Sequence, residues 1–520
     1  MLKKDVIVIG AGLAGMVAAL EAQSQGSHVV LITKGPLGIG SNSALSGARF
    51  AGSTPQYLPE EHVRDTLRSG KGINCESMVR LTAQEIPQAF SFLSSLGLGL
   101  TEFAIGYAID PVVPGDIPGA ILVRTLARKI RDRTHIDVQN VTHVTEILKN
   151  EEAVYGIRGV DHQGREVLVN APAVVLATGG AGAIFCRNDN QKGIMGQGYY
   201  LAAKAGLQLW DMEFVQFYPL VIAEPGLPSL PFFLPCHGET RLIRGDGEDI
   251  LSKFSTNDIN QATMTERDEF SVFLFRESLK GPIYMDCRQV PTSFWERNPW
   301  RRIKFDFRKK PLAISPAAHF FMGGVRIDER GQASLPGLFA CGEVVWGLHG
   351  ANRMGGNAVT ECVVFGRIAG YHAAQYALTH PLSPSVPETI VRDQPFRSSS
   401  NQEDLKILRK RIRQIAWEHA GIVRFQAGLK EGLAKTDDFE RELKGIVPRT
   451  VSETKLKEEL LSAAFVLRAV ILASSARTET RGSFYRDDFP KQDDLHWRKN
   501  SCLTYDIETD HFTITHFPPS

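Results

Sequence analysis

Residues 5–34 read "DVIVIGAGLAGMVAALEAQSQGSHVVLITK", and this stretch decides the fold. The apolar run predicts a buried strand over 5–9, followed by a helix over 16–25 and a second strand over 28–33. Between the first strand and the helix stand Gly10, Gly12 and Gly15, in the spacing G-x-G-x-x-G. Each has its own physical task. Gly10 permits the tight turn, Gly12 admits a pyrophosphate to the amides at the helix N-terminus, and Gly15 lets helix and strand pack closely. A lone glycine triplet is a weak signal, but strand, triplet, helix and strand in that order define a dinucleotide-binding unit. Thr33 and Lys34 stand where an acidic residue ordinarily ends the second strand. The ribose must therefore be held by other groups, and NAD specificity does not follow.

Two later segments repeat the passage from strand into glycine: "VNAPAVVLATGGAGAIF" at 169–185 and "LPGLFACGEVVWGLHG" at 335–350. Open α/β sheets present ligand contacts at the carboxyl ends of their strands, so one sheet holding one extended dinucleotide accounts for all three loops. Gly342 and Glu343 then sit where a ribityl or ribose hydroxyl is bound. Downstream, "NAVTECVVFGRIAGYHAAQYAL" predicts a helix over 358–378 whose N-terminus follows Gly355, Gly356 and Asn357. Its amides and positive dipole end suit the N1 and C2 carbonyl of a flavin, which become negative on reduction.

The bulk composition agrees with a globular protein. Of 520 residues, 43% are hydrophobic and 22% charged, enough for several domains around sizeable cores. With 59 basic and 58 acidic residues and a net charge of +1, there is no electrostatic footprint for nucleic acid and no polybasic membrane patch. The apolar segment "AAFVLRAVILASSA" is interrupted by Arg468 and falls short of the roughly 20 residues of a bilayer span. No membrane span is therefore expected. Seven cysteines occur without any C-x-x-C, so no zinc, iron–sulfur or c-type haem site is encoded, and a cytoplasmic location is expected. In the last third, "QEDLKILRKRIRQIAWEHAGIV" and "SETKLKEELLSAAFVLRAVILASSA" carry apolar residues at helical spacing on either side of a turn-rich "GIVPRT". These predict a bundle of about three helices.

The chain resembles the flavoprotein family of succinate dehydrogenase, fumarate reductase and L-aspartate oxidase. The resemblance is carried, in order, by "DVIVIGAGLAG", "GSNSALSGARFAG", "LATGGAG", "DMEFVQFYP", "RGDGEDIL", "TERDEFS", "PAAHFFMGGVRID", "GLFACGEVVWGLHGANRMGGNA" and "ARTETRGSFYRDDFPKQDD". It implies an α/β fold with a Rossmann-like FAD-binding domain in two parts, residues 1–222 and 325–380. Between them it implies an inserted α+β capping domain at 223–324, and after them a C-terminal helical domain at 381–498 and a tail at 499–520. The cofactor contacts it implies are Gly10, Gly12, Ala14, Gly15, Thr33 and Lys34; Ser41, Asn42, Ser43 and Gly47; Ala177, Thr178 and Gly179; Gly342 and Glu343; and Asn357, Ala358 and Val359.

By the same resemblance, Arg353 and His319 hold a substrate carboxylate or carbonyl, with Tyr218 and Gly355 also at the substrate. Arg267 passes a proton at the carbon beside the one that exchanges hydride. Arg244 stands behind it in a relay completed by Glu239 or Asp246. An arginine is almost never deprotonated, so Arg267 is expected to be a conduit that a neighbour recharges at once. His349 is read either as a flavin neighbour or as a brace of its loop.

The departures bear on the substrate. Asn42 occupies the place of the histidine that binds FAD covalently in the respiratory members ("SHT"), and an amide forms no such bond. FAD is therefore expected to be noncovalent. The family's "FHPT" is "FYPL" here, with Tyr218 for histidine and Leu220 for threonine. A dicarboxylate loses charge-assisted contacts on that side, each worth about 1.5–3 kcal/mol. Arg241 replaces the acid three residues before the "RGDG" arginine, and Ala358 replaces a serine.

The expected activity is an FAD-dependent dehydrogenase or reductase acting on a carbon–carbon bond next to a carboxylate or acyl group. Within a larger complex it would exchange electrons with an iron–sulfur or other electron-transfer protein, peripheral to a membrane where that partner holds it. Two alternatives are an amino acid oxidase of the L-aspartate oxidase kind and an electron-transfer module with no organic substrate. Retention of Arg267, His319 and Arg353 disfavours the last, because an electron relay needs no carboxylate clamp.

Overall fold

Strands and helices form where the apolar pattern places them. A computed structural model describes residues 4–110, 116–133, 135–232, 235–296, 305–382 and 402–520, together with the strand Val391–Arg392. The strands Val6–Ile9 and Val29–Thr33, buried throughout, flank the helix Leu13–Ser24. They pair in parallel, and Ala173–Leu176 joins the other edge of the first strand, also in parallel. The full sheet runs Leu338–Ala340, Ala173–Leu176, Val6–Ile9, Val29–Thr33, Ile136–Lys149, Val154–Asp161, Glu166–Asn170 and Val391–Arg392. The chain leaves the first strand toward neighbours on both sides, which opens a crevice at its carboxyl end. The three glycine loops of the sequence all follow strands of this parallel core.

The helix Asn357–Thr379 lies on Leu13–Ser24 at backbone distance. A Cβ on Gly366 would stand 2.8 Å from the carbonyl oxygen of Ala14, and one on Gly370 2.4 Å from that of Ala18. Two small residues four apart on each helix therefore permit the close crossing that brings both helix N-termini to the same crevice.

A second antiparallel sheet, ordered Val215–Ile222, Leu312–Phe321, Ile283–Asp286 and Arg241–Arg244, carries the helix Arg267–Ser278. Leu220, Leu242, Phe270, Leu274 and Met285 give this capping unit a core of its own. Its two long strands are shared. Val215, Phe217, Ala318 and Phe321 belong to the main core, whereas Leu220, Ile222, Leu312 and Ile314 belong to the cap. Register slips between Tyr218 and Val221, where Pro219 removes an amide donor from the ladder.

The C-terminal third forms the helices Gln402–Ala420, Gln426–Gly445 and Val451–Ala476. The last is long and apolar enough by composition to cross a membrane, which differs from the sequence expectation, yet 72% of its most apolar window is buried within the protein. Its apolarity is consumed by core packing, with Leu460, Ala464, Leu467 and Val470 fully buried. Residues 500–517 form a hairpin, Asn500–Asp506 with His511–Phe517, that joins Leu209–Trp210 and Gly324–Val325 in a third sheet. Buried arginines tie this part to the rest: Arg477 pairs with Glu213 at 2.8 Å and with Glu479 at 2.9 Å, and Arg481 pairs with Glu479 at 2.8 Å. Every partner is fully enclosed and paired, as buried charges must be.

Candidate active site

Gly10, with φ +114°, turns the chain so that a Cβ would lie 2.2 Å from the carbonyl oxygen of Ala177. At Gly15 a Cβ would meet the Gly10 carbonyl oxygen at 1.9 Å. The helix after Gly12 has no side-chain cap, and the amide of Leu13 donates to Ser43 Oγ at 3.2 Å. Ser41 and Ser43 thus stand over this N-terminus. Beside it, Gly342 (φ +75°) packs on Ala14, and the hydroxyl of Thr178 is buried without a partner. The second helix likewise starts uncapped after Gly356, with φ +92°. Two open helix N-termini, a buried orphan hydroxyl and glycines that keep the backbone bare fit the pyrophosphate and ring of a flavin dinucleotide.

Not every expected contact reaches this groove. The Thr33 hydroxyl donates to the carbonyl of Gly35 at 2.7 Å, and the Lys34 ammonium pairs with Glu459 at 3.6 Å. The Asn357 side chain turns away, its Oδ1 accepting from His62 Nε2 at 2.8 Å and its amide donating to Thr66 Oγ1 at 3.0 Å. Asn42 does line the cavity between cap and dinucleotide unit, and it bridges to the loop that follows strand Ala173–Leu176, donating to Asn190 at 2.6 Å and accepting from the Gln191 amide at 3.0 Å.

A cavity of about 1010 Å³ lies between the cap and the dinucleotide unit. Ser43, Gly47, Glu343, Gly355, Ala358 and Val359 line one part; Tyr218, Arg267, His319 and Arg353 line another. Burial pushes the Glu343 carboxyl up to about 7, while the amide of Phe321 donates to its Oε1 at 3.1 Å.

Arg353 is held by its loop rather than by an acid. The Gln216 side-chain amide donates to the Arg353 carbonyl at 2.9 Å, and Asn74 donates to that of Leu348 at 2.8 Å. His349 braces the loop from within, Nε2 to Glu361 Oε2 at 3.0 Å, with both groups buried. The Arg353 guanidinium lies 4.8 Å from the Phe320 ring centroid, and its Nε has no partner. Burial, with Arg267 nearby, drops its pKa to about 9. Arg267 opens its helix, donates to the carbonyls of Thr263 at 3.3 Å and Arg353 at 3.5 Å, and faces the Tyr218 ring at 6.0 Å. Among the described residues neither guanidinium has a carboxylate within ion-pair distance. One buried and one half-buried guanidinium without an acid can receive an anion.

Asp189 was invisible to the motif reading. It accepts from His319 Nδ1 at 2.7 Å and is itself buried. The carboxylate fixes the proton on Nδ1 and leaves Nε2 for a substrate group. Its only sequence signal is the polar run "RNDN" shortly after "LATGGAG".

Three expectations are corrected. Arg244 does not stand behind Arg267; it pairs with Asp246 at 2.8 Å, with Glu248, and with Glu277 at 3.1 Å. Glu277 is ten residues along the helix that Arg267 begins, about 15 Å at 1.5 Å per residue, so this cluster braces the far end of the cap. Asp246 is consumed in the same cluster. Leu220 lies in the cap core, not on the cavity wall. Tyr218 does reach the wall, but its hydroxyl donates to the carbonyl of Phe232 at 3.0 Å, and burial raises its pKa so that it stays neutral.

The dinucleotide groove beside a cavity lined by Arg267, His319 and Arg353 has the make-up of an FAD-binding oxidoreductase. Residues 5–359 match the family described as FAD binding domain, and residues 409–519 the one described as fumarate reductase flavoprotein C-term. Similar relatives are a fumarate reductase (CoM/CoB) subunit of Methanothermobacter marburgensis, 30% identical over 97% of each chain, and an L-aspartate oxidase of Streptomyces coelicolor, 30% identical over 99% of this chain and 94% of the other. Among solved structures, Mycobacterium smegmatis Sdh1 in complex with UQ1 superposes with a TM-score of 0.83 at 27% identity, over 100% of this chain and 95% of that one. Escherichia coli quinol fumarate reductase FrdA shares the fold, with a TM-score of 0.85 at 24% identity, over 100% and 98%. The chain belongs to the succinate dehydrogenase, fumarate reductase and L-aspartate oxidase flavoprotein family. Its cofactor is FAD, and it is an enzyme acting on CH–CH or CH–NH2 donors.

Proposed function

We propose that this enzyme exchanges hydride with a carbon–carbon bond adjacent to a substrate carboxylate or acyl group, and that it passes the electrons to or from a partner protein. The observation that carries the reading is the Arg353 guanidinium, buried, with Nε unpartnered, on a cavity wall shared with Arg267 and His319. Bound FAD supplies the two-electron hydride chemistry. The protein's share is binding and proton management. Arg353 and the Nε2 of His319, steadied by Asp189, take the carboxylate or carbonyl and draw electron density toward it. Arg267 stands where the proton of the neighbouring carbon is given or taken. Arg244 and Asp246 are left out of the relay. FAD is held without a covalent bond, since Asn42 offers no nucleophile and its amide is spent on Asn190 and Gln191.

An oxidase of amino acids is the second reading, favoured by the 30% identity to the Streptomyces coelicolor L-aspartate oxidase. Turnover assays separate the two. The proposal expects reduction of an artificial dye with a saturated carboxylic acid and little hydrogen peroxide. Peroxide formed stoichiometrically with L-aspartate, without the dye, would select the oxidase.

A further inference from the structure

The segment "SGARF" at 46–50 places a third cation on the cavity wall. Ala48 is buried with φ +42°, a left-handed conformation that side chains rarely adopt. Strand Arg49–Ala51 follows, pairing Arg49 with Ala108; Phe50 and Ala51 are buried and Arg49 is exposed. The Arg49 guanidinium carbon lies 5.6 Å from the ring centroid of Phe103, and both residues line the cavity. Among the described residues Arg49 has no hydrogen bond and no ion pair.

The charges of this wall do not balance. Arg49, Arg267 and Arg353 all lack a carboxylate partner among the described residues. Of the acids that line the cavity, Asp189 is taken by His319, Glu343 accepts from the Phe321 amide, and Glu296 is exposed. One substrate carboxylate answers Arg353 and its neighbours and leaves Arg49 over. Tyr218, neutral and tied to the Phe232 carbonyl, gives no charge to a second anion beside the first. The cavity is shared with the flavin, whose expected contacts Ser43, Gly47, Ala358 and Val359 line one part of it, so the substrate has the remainder. Phe103, Ile105 and Met264 make part of its wall apolar.

We infer that Arg49 is a specificity-determining residue that binds a second anionic group of the substrate, carried on an apolar spacer that lies along Phe103 and is longer than that of a four-carbon diacid. The inference rests on the reading of Arg353 as the anchor of the first carboxylate. The substrate class is then a long dianionic acid, whose distal group is a carboxylate or a phosphonate-like oxyanion. Arg49 touches no reacting atom; it selects among substrates.

Binding of saturated acids to the FAD-loaded enzyme held reduced under anaerobic dithionite, where they cannot pass hydride to the flavin, followed by the flavin difference spectrum, tests this. Adipate is compared with hexanoate, the same spacer without the second charge, and with 5-phosphonopentanoate. Adipate should bind about tenfold or more tightly than hexanoate, the scale of one charge-assisted hydrogen bond. Arg49→Gln should erase that preference and leave hexanoate affinity and FAD content unchanged, and Arg49→Lys should restore part of it. A phosphonate preferred over adipate in an Arg49-dependent way identifies the distal group as that oxyanion. Equal weakening of adipate and hexanoate in Arg49→Gln, or an adipate preference that survives it, would overturn the inference while leaving the Arg353 site intact. If no acid perturbs the flavin in the unsubstituted enzyme, the reading of Arg353 fails and this inference with it.

Discussion

Replacing Arg353 by methionine should make the apoprotein more stable and the enzyme inert. The guanidinium is buried, and its pKa falls from the usual value near 12.5 to about 9. Each pH unit corresponds to about 1.36 kcal/mol, so keeping the charge at pH 7 costs the empty fold on the order of 5 kcal/mol. Replacement of a buried charge by an apolar side chain of similar volume recovers about 1–4 kcal/mol of this, because the surroundings relax around the native cation. Phe320, whose ring the guanidinium now faces, is a suitable neighbour for the thioether. Urea denaturation of both apoproteins, monitored by tryptophan fluorescence at pH 7, should show a higher midpoint for Arg353→Met. The FAD-loaded variant should show no carboxylate-induced change in its flavin spectrum. A lower midpoint together with retained carboxylate binding would refute the reasoning, since Arg353 would then be a structural brace and not a strained receptor.

Further outcomes follow from the same contacts. Asp189→Asn removes the charge from the bond to His319 Nδ1 and should cost kcat/KM about 10- to 100-fold, with FAD content unchanged, on a loss of about 1.5–3 kcal/mol; steady-state kinetics at saturating acceptor would show it. Arg267→Ala should abolish turnover while the flavin stays bound, as read from the absorbance of the purified protein; substantial retained activity would remove Arg267 from the proton step. Arg244→Ala should lower the thermal midpoint of the cap and keep kcat near that of the unsubstituted enzyme, because its partners are Asp246, Glu248 and Glu277. Denaturation should release all flavin to the filtrate; flavin fluorescence that stays with the protein band would refute noncovalent binding.

The dinucleotide unit was legible because its signals are local. An apolar run, three glycines and a helix occupy one continuous stretch, and the glycines' tasks follow from their own backbone. Arg353, His319 and Arg267 were legible through motifs, and the cavity brings all three together. What the sequence concealed depends on how separate segments meet. Asp189 meets His319 across 130 residues of chain, and no periodicity marks that contact. Arg244 misled for the same reason: its place in a motif says nothing of Glu277, which captures it from the adjacent helix. Leu220 misled because the slip at Pro219 changes which residues of the strand face the cavity. Arg468, which interrupts the apolar run of helix Val451–Ala476, is answered by Glu440 and Asp510 from other segments, contacts that no local pattern marks.

The central claim is that Arg353 anchors the carboxylate of the compound that exchanges hydride. An anaerobic titration of the dithionite-reduced enzyme with α,β-unsaturated mono- and dicarboxylic acids, followed at the flavin absorbance, tests it most directly. The account predicts that at least one acid restores the oxidised spectrum and that Arg353→Gln, with its full complement of FAD, does not respond to it. Reoxidation of the variant at the rate of the unsubstituted enzyme, or a flavin that no carboxylic acid reoxidises, would contradict it.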